Sequence, residues 1–215
     1  MLSILNIILS FIAGYLIGSI PTGYIFGRLY KGIDIREFGS GNLGATNAMR
    51  VLGKVPGIIV LVIDVLKGVV VITLVASLFG ITHAVWLTLL SLTVVAGHNW
   101  TIFLKFKGGK GIATTLGVMI GLAIKIEGMR LVLGLSLLIW LVIFLGTGYV
   151  SLASIITATL LPVVMMLTSQ SLELVVMGII FCIFVVLRHR ANIKRLLSGK
   201  EPRVQLFSKK IKIAA

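Results

Sequence analysis

Three polar stretches carry the residue types that chemistry needs, and one of them runs GHNWTIFLKFKGGKG from Gly97 to Gly111. It holds one His, one Trp and three Lys within 15 residues and ends in Gly108-Gly109-Lys110-Gly111. Glycines let backbone amides approach a ligand closely, and an ammonium among them makes a compact anion site. The stretch is not a Walker A loop, which needs GxxxxGK[ST]. Lys105 and Lys107 also suit a membrane-surface anchor, and Trp100, Phe103 and Phe106 an interfacial aromatic belt. His98 fits two roles: a backbone hydrogen bond at a helix end, or the orientation of a polar group.

The second stretch is FGSGNLGATNAMR, Phe38–Arg50. Ser40, Asn42 or Thr46 is expected to cap the helix that follows. A helix start preceded by glycines binds phosphate, and Arg50 can add a bidentate fork. A flexible interhelical loop is the plain alternative; the density of Ser, Asn, Thr and Arg over residues 40–50 favours function. The third stretch is RHRANIKRL, Arg188–Leu196. His189, Asn192 and Arg195 recur every three residues and share a face if the last apolar helix continues. Anionic lipid explains the cations there, but not a His and an Asn among them. Asp64 and Lys67 stand three apart inside an apolar run, either as a functional site or as a structural ion pair. Ser151 and Ser154 begin another run. Either can donate to phosphate or serve helix contact, and Ser154 is taken as the phosphate donor.

The elements that must position these residues are set by composition. The chain has 215 residues, of which 58% are hydrophobic and 12% charged, with a mean hydropathy of +1.14. Soluble domains run about 45–50% apolar and about 25% charged, so this is a polytopic membrane protein. The apolar runs lack the alternation of barrel strands and read as helices, giving an all-α bundle in a single membrane domain over 1–215, with a basic tail at 196–215. The net charge of +14 lies mostly in loops and tail, which points to anionic lipids and anionic substrates and not to nucleic acid. Cys182, the only cysteine, lies in an apolar run and reads as packing.

Seven segments are expected: Ser3–Tyr24, Val55–Phe79, Ala84–Leu104, Ile112–Ile124, Leu131–Gly146, Val150–Thr168 and Leu172–Leu187. The first lacks a preceding Lys or Arg and is too long for a signal-peptide core, so it reads as a retained helix. With its N-terminus outside, 17 of the 20 basic residues fall on the inner side with the C-terminus, Lys125 and Arg130 lie outside, and Lys67 sits within a span. That asymmetry sets the orientation. Ile112–Ile124 is short for a span, and five crossings would give the same sidedness.

FGSGNLGATNAMR, GHNWTIFLKFKGGKG and RHRANIKRLLSGKE, in this order and spacing, resemble the three signature motifs of the bacterial acyl-phosphate:glycerol-3-phosphate acyltransferases, the PlsY family. The likeness extends to Gly18-Ser19-Ile20-Pro21 and to Asp64-x-x-Lys67-Gly68. One departure is Thr101 where the pattern has Pro after Trp100, which bears on a local kink and not on the chemistry. The resemblance implies an enzyme of the bacterial inner membrane with its active site facing the cytosol. It would move a fatty acyl group from acyl phosphate to the 1-hydroxyl of glycerol 3-phosphate, giving lysophosphatidic acid and phosphate, without cofactor or metal. A soluble acyl-phosphate-producing enzyme of the PlsX type would be its partner. It implies a catalytic set of Ser40, Arg50, Lys110, His189 and Asn192. Gly108, Gly109, Gly111, Asn42 and Ser154 are expected at phosphate, with Asp64, Lys67, His98 and Glu201 in support. His189 or the substrate phosphate would be the base.

A small secondary transporter for a phosphorylated metabolite is the rival reading, since interrupted helices with glycines and cations suit it. Against it, the polar residues gather at one face and not at the midplane. No HxxxxD pair, GxSxG elbow or zinc pattern occurs. Gly109→Ala is expected to raise KM for glycerol 3-phosphate more than KM for acyl phosphate. Steady-state kinetics check this, and equal effects on both would contradict the assignment of the glycine turn.

Overall fold

The computed structural model describes residues 3–204, and every regular element among them is helical. The first apolar run is broken into α1 (Ile4–Ser19) and α2 (Thr22–Lys31). Pro21 causes the break: it has no N–H and biases Ile20 out of helical conformation, to φ -54 and ψ 115. The polar stretch that follows carries a 3-10 turn at Ile35–Glu37 and a short helix, α3 (Ala45–Leu52). Next, α4 (Lys54–Val70) runs through a π-helical turn at Val71–Val75 into α5 (Ala76–Leu78). The rest of the chain forms α6 (Ala84–Asn99), α7 (Ile112–Lys125), α8 (Gly128–Thr147), α9 (Val150–Leu167), α10 (Leu172–Arg188) and α11 (Arg190–Leu197).

Five stretches are long and apolar enough to cross a bilayer, and six if α10 and α11, bent by 65°, count as one span. The remaining expected segment is α7, whose 14 residues cover about 21 Å of the roughly 30 Å hydrocarbon core. The fold is therefore an all-helical, multi-pass membrane architecture with five or six candidate spans.

Helices in lipid lack a hydrophobic drive to associate and pack instead through small residues that let backbones approach. Against α6, Gly18 of α1 faces the Val94 carbonyl, and Gly97 of α6 faces the Tyr15 carbonyl in return. In the same way Gly68 of α4 faces the Thr114 carbonyl of α7, and Gly117 of α7 faces the Val65 carbonyl. Around these seams Ile72, Leu90, Val94, Val118, Leu122 and Met165 are completely buried. A second, smaller core of Ile35, Leu43, Ala48, Leu52, Val60 and Leu104 underlies the first polar stretch.

Contacts sort the turns into two ends. At one end, Lys125 Nζ donates to Ser77 Oγ at 2.9 Å, and Gly128 packs on the Gln170 amide. At the other, Lys31 Nζ donates to the Val51 carbonyl at 2.6 Å, Arg188 reaches the Gly108 carbonyl at 2.6 Å, and the Val204 amide donates to the Gly148 carbonyl at 2.9 Å. All three polar stretches lie at this second end.

A Cβ at Gly117 would overlap the α4 backbone, whereas one at Gly134 meets nothing within 4 Å. Gly117→Ala should therefore lower the melting temperature of the purified protein, at a cost of about 1–3 kcal/mol. Gly134→Ala should leave it unchanged or slightly higher. Equal losses in the two variants would contradict the glycine seam.

Candidate active site

The lysine turn is built by doubling the chain back on the end of α6. The Thr101 hydroxyl donates to the Ser19 carbonyl at 2.5 Å and accepts the Phe103 amide at 3.3 Å, so it caps the 3-10 turn Ile102–Leu104. Thr101 thus shapes the chain by hydrogen bonds at the position where a proline would do so by ring geometry. Lys105 and Phe106 then adopt left-handed conformations, φ 52 and φ 60, each costing about 1–3 kcal/mol for a non-glycine residue.

Beyond them the Gly108 amide donates to the Asn99 carbonyl at 3.2 Å and the Gly109 amide to the His98 carbonyl at 3.0 Å. Those two amides are therefore engaged inside the protein, unlike the free, ligand-facing amides that a glycine turn suggests. The glycines are needed for approach: a Cβ on Gly109 would overlap His98 Nε2, and one on Gly108 the backbone of His98 and Asn99. Their carbonyls hold Arg188 as a fork, Nε to Gly109 at 2.8 Å and a terminal nitrogen to Gly108 at 2.6 Å. Gly111, at φ 80, starts α7. The amides of Lys110 and Gly111 take no acceptor among the described residues and stand at a helix N-terminus, where anions are favoured.

From this turn Lys110 Nζ donates to Asn192 Oδ1 at 2.6 Å. Asn192 Nδ2 donates to Glu201 Oε1 at 2.6 Å, which fixes the orientation of the amide. Glu201 also accepts from the Ser151 hydroxyl at 2.7 Å and, on its other oxygen, from Arg195 Nε at 2.7 Å. Burial alone would raise the Glu201 carboxyl, but these three donors outweigh it and hold the group below its usual range. Burial pushes the Lys110 ammonium down to about 8 against the pull of Glu201, helped by Arg195, Arg188 and Arg50. The segment after α11 is part of this assembly, because Arg203 stacks over the Tyr149 ring at 4.9 Å. Residues 205–215 of the expected basic tail lie outside the described residues.

His189 is not inside a continuing helix. It occupies the break between α10 and α11, with φ -102 and ψ 11, and is 2% exposed. Its Nδ1 lies 2.8 Å from the Val185 carbonyl. A carbonyl can only accept, so in the neutral imidazole the proton sits on Nδ1 and Nε2 keeps its lone pair.

Asn47 organises the first polar stretch, and sequence reasoning did not single it out. It is 1% exposed; its Oδ1 accepts the Ser40 amide at 2.8 Å, and its Nδ2 faces the carbonyls of Asn42 (2.9 Å), Phe38 (3.1 Å) and Ile35 (3.3 Å). The expected side-chain cap is absent: Gly44 starts α3 without one, and Asn42 Oδ1 instead accepts the Gly44 amide at 2.8 Å. Asn42 therefore shapes the loop. Ser40 and Arg50 are exposed and have no described partner for their side chains. Arg50 lies near enough for its charge to bear on Lys110.

Ser154 is also corrected. Its hydroxyl donates to the Val150 carbonyl at 2.8 Å and accepts Trp140 Nε1 at 3.2 Å, so it serves the α8–α9 contact, whereas Ser151 joins the Glu201 assembly. Arg188, one of the cations for which the sequence suggests anionic lipid, instead ties α10 to the glycine turn. Asp64 and Lys67 form a buried pair at 2.6 Å, with His98 Nδ1 at 3.8 Å from the same carboxylate oxygen.

Residues 8–199 match the family model described as glycerol-3-phosphate acyltransferase. The glycerol-3-phosphate acyltransferase of Desulforamulus reducens is 44% identical over 88% of this chain and 91% of its own length. Glycerol-3-phosphate acyltransferase 2 of Moorella thermoacetica is 42% identical over 90% and 95%. The solved structure of PlsY (YgiH), an integral membrane glycerol 3-phosphate acyltransferase, in its glycerol 3-phosphate form superposes with a TM-score of 0.82 at 40% identity, covering 92% of this chain and 95% of that one. Its lysophosphatidic acid form gives a TM-score of 0.79. The chain therefore belongs to the glycerol-3-phosphate acyltransferase family.

Proposed function

We infer that the chain transfers a fatty acyl group from acyl phosphate to the 1-hydroxyl of glycerol 3-phosphate, releasing lysophosphatidic acid and phosphate. The observation that carries this reading is the chain Lys110–Asn192–Glu201, in which a single carboxylate faces Arg195 while Arg50, Arg188 and Arg195 all bear on Lys110. The surplus of positive charge suits two phosphate-bearing reactants brought together. Membership in the family supports the acceptor, and the glycerol 3-phosphate and lysophosphatidic acid forms of PlsY support the product.

Lys110, Arg50 and the free amides at the start of α7 neutralise the phosphates. The turn through Gly108, Gly109 and Gly111 contributes its shape and the Gly111 amide. His189 Nε2 takes the proton of the 1-hydroxyl as that oxygen attacks the acyl carbonyl carbon. The carbon–oxygen bond to phosphate breaks, phosphate leaves with the electron pair, and the proton passes to it from His189. Asn192 commits its oxygen to Lys110 and one N–H to Glu201. Its second N–H and the Ser40 hydroxyl stabilise the carbonyl oxyanion.

In this reading the basic end faces the cytosol at the bacterial inner membrane, with the N-terminus outside and α7 counted as a seventh, shortened crossing; the excess of basic residues at this end supports it. There a soluble PlsX-type enzyme delivers acyl phosphate. The transporter reading loses its ground because the polar groups cluster at one end of the bundle.

Purified protein given both substrates should release phosphate and form lysophosphatidate in equal amounts; release without lysophosphatidate would contradict the transfer. Lys110 is charged below about pH 8 and neutral above it. Accordingly kcat/KM for glycerol 3-phosphate should fall as pH rises through about 8, and Lys110→Arg should flatten that limb; an unchanged limb removes Lys110 as its origin. His189→Ala should lower kcat by about 10²–10⁴-fold, and normal turnover in that variant would take histidine out of the mechanism. Ser151→Ala should reduce kcat/KM at least tenfold more than Ser154→Ala, by the same assay, and the reverse order would contradict the placement of Glu201.

A further inference from the structure

The buried pair of Asp64 and Lys67 has a first, structural reason. Pro21 leaves the end of α1 and the start of α2 facing each other inside the bundle, where unpaired backbone groups are costly. Lys67 Nζ donates to the Ile20 carbonyl at 2.6 Å, so a cation meets the negative end of α1. The Thr22 hydroxyl donates to Asp64 Oδ1 at 3.0 Å, so an anion meets the positive start of α2. Both charges complement the helix dipoles and each other.

Closure of the break does not explain what stands on the other side of the carboxylate. The His98 ring lies between Asp64 and the lysine turn, with Nδ1 at 3.8 Å from Asp64 Oδ1 and Nε2 against Gly109. The His98 carbonyl also accepts the Gly109 amide at 3.0 Å. The first polar stretch reaches the same point, because Gly23 of α2 abuts the Leu43 carbonyl. Thr22, Leu43, Asp64, His98, Thr101 and Gly109 line one cavity of about 10 Å³, roughly the room one water needs. The helix break, the Ser40 loop and the glycine turn therefore meet at a single buried joint behind the site.

We propose that the Asp64–Lys67 pair acts through His98 as a positioning device for the glycine turn, setting the affinity for glycerol 3-phosphate without touching it. The proposal rests on the assignment of that turn to glycerol 3-phosphate. Loss of the imidazole lets Gly109 sag toward Asp64. Loss of the carboxylate lets the imidazole rotate away from Gly109. Either change moves the Lys110 and Gly111 amides relative to Asn192, whereas the acyl phosphate side, held by the Ser40 loop through Asn47, shifts less.

The test compares His98→Ala, His98→Gln, Asp64→Asn and the double variant Asp64→Asn/Lys67→Met, each checked for its melting temperature, with Gly109→Ala alongside. The double variant removes both buried charges at similar volume and keeps the comparison open if Asp64→Asn alone fails to fold. The expected result is a rise of about tenfold in KM for glycerol 3-phosphate in His98→Ala and in the Asp64 variants. KM for acyl phosphate should stay within about twofold, and His98→Gln should recover most of the loss. If Gly109→Ala raises KM for glycerol 3-phosphate and the His98 and Asp64 variants do not, the positioning role is overturned. If those variants raise both constants equally, the pair only supports the fold, and the proposal fails. If Gly109→Ala itself leaves that constant unchanged, the turn does not hold glycerol 3-phosphate, and the proposal falls with that assignment.

Discussion

The bond from Lys110 Nζ to Asn192 Oδ1, 2.6 Å long, joins residues 82 apart in the chain and holds the site together. Through Asn192 it extends to Glu201, and through Glu201 to Ser151 and Arg195. It therefore links the turn between α6 and α7, the start of α9, the helix α11 and the segment after it. Arg188 makes a parallel tie from the end of α10 to the carbonyls of the glycine turn. A lysine held this way keeps its charge available to an anion because its partner is a neutral amide. The carboxylate stands one residue further away, where it fixes the amide without quenching the charge.

The bilayer explains why these groups gather at one end. A helix satisfies its own backbone, but a turn or a charge needs protein or water partners. The irregular backbone around Gly39–Gly44, Trp100–Gly111 and His189 accordingly sits where helices end, and each piece has a side-chain anchor: Asn47, Thr101 and Arg188. The break at Pro21 is closed by Asp64 and Lys67. Glycine seams between α1 and α6 and between α4 and α7 let these ends approach closely enough to share partners. Close packing, ion-pair closure and site geometry are thus three consequences of a low-dielectric surround.

The sequence showed much of this. The long apolar runs predict the helices within a few residues, and the motifs identify the family. The Ser3–Tyr24 span reads as one helix, yet the structure breaks it at Pro21, because the ion pair that makes a break tolerable is 42 residues away. Ser151 and Ser154 look alike in sequence. Only the rotation of α9 between α8 and the segment carrying Glu201 separates them, and that rotation is a tertiary property. The amides of Gly108 and Gly109 looked free because a glycine turn suggests exposed N–H groups. The left-handed pair Lys105–Phe106 folds them back onto α6, and neither residue type signals that conformation. Asn47 does not stand out in the sequence because an asparagine inside a short helix has no pattern of its own; its signal is the flanking loop whose carbonyls it collects.

The account requires the three polar stretches to share one side of the membrane. With Cys182 replaced by Ala, single cysteines at the exposed positions Ser40, Lys107 and Arg190, and at Ser169 near the opposite end, can be labelled in sealed vesicles with a membrane-impermeant thiol reagent. The prediction is that Ser40→Cys, Lys107→Cys and Arg190→Cys react from the same side, and Ser169→Cys only from the other. Reaction of any one of the first three from the side that labels Ser169→Cys would contradict a shared site.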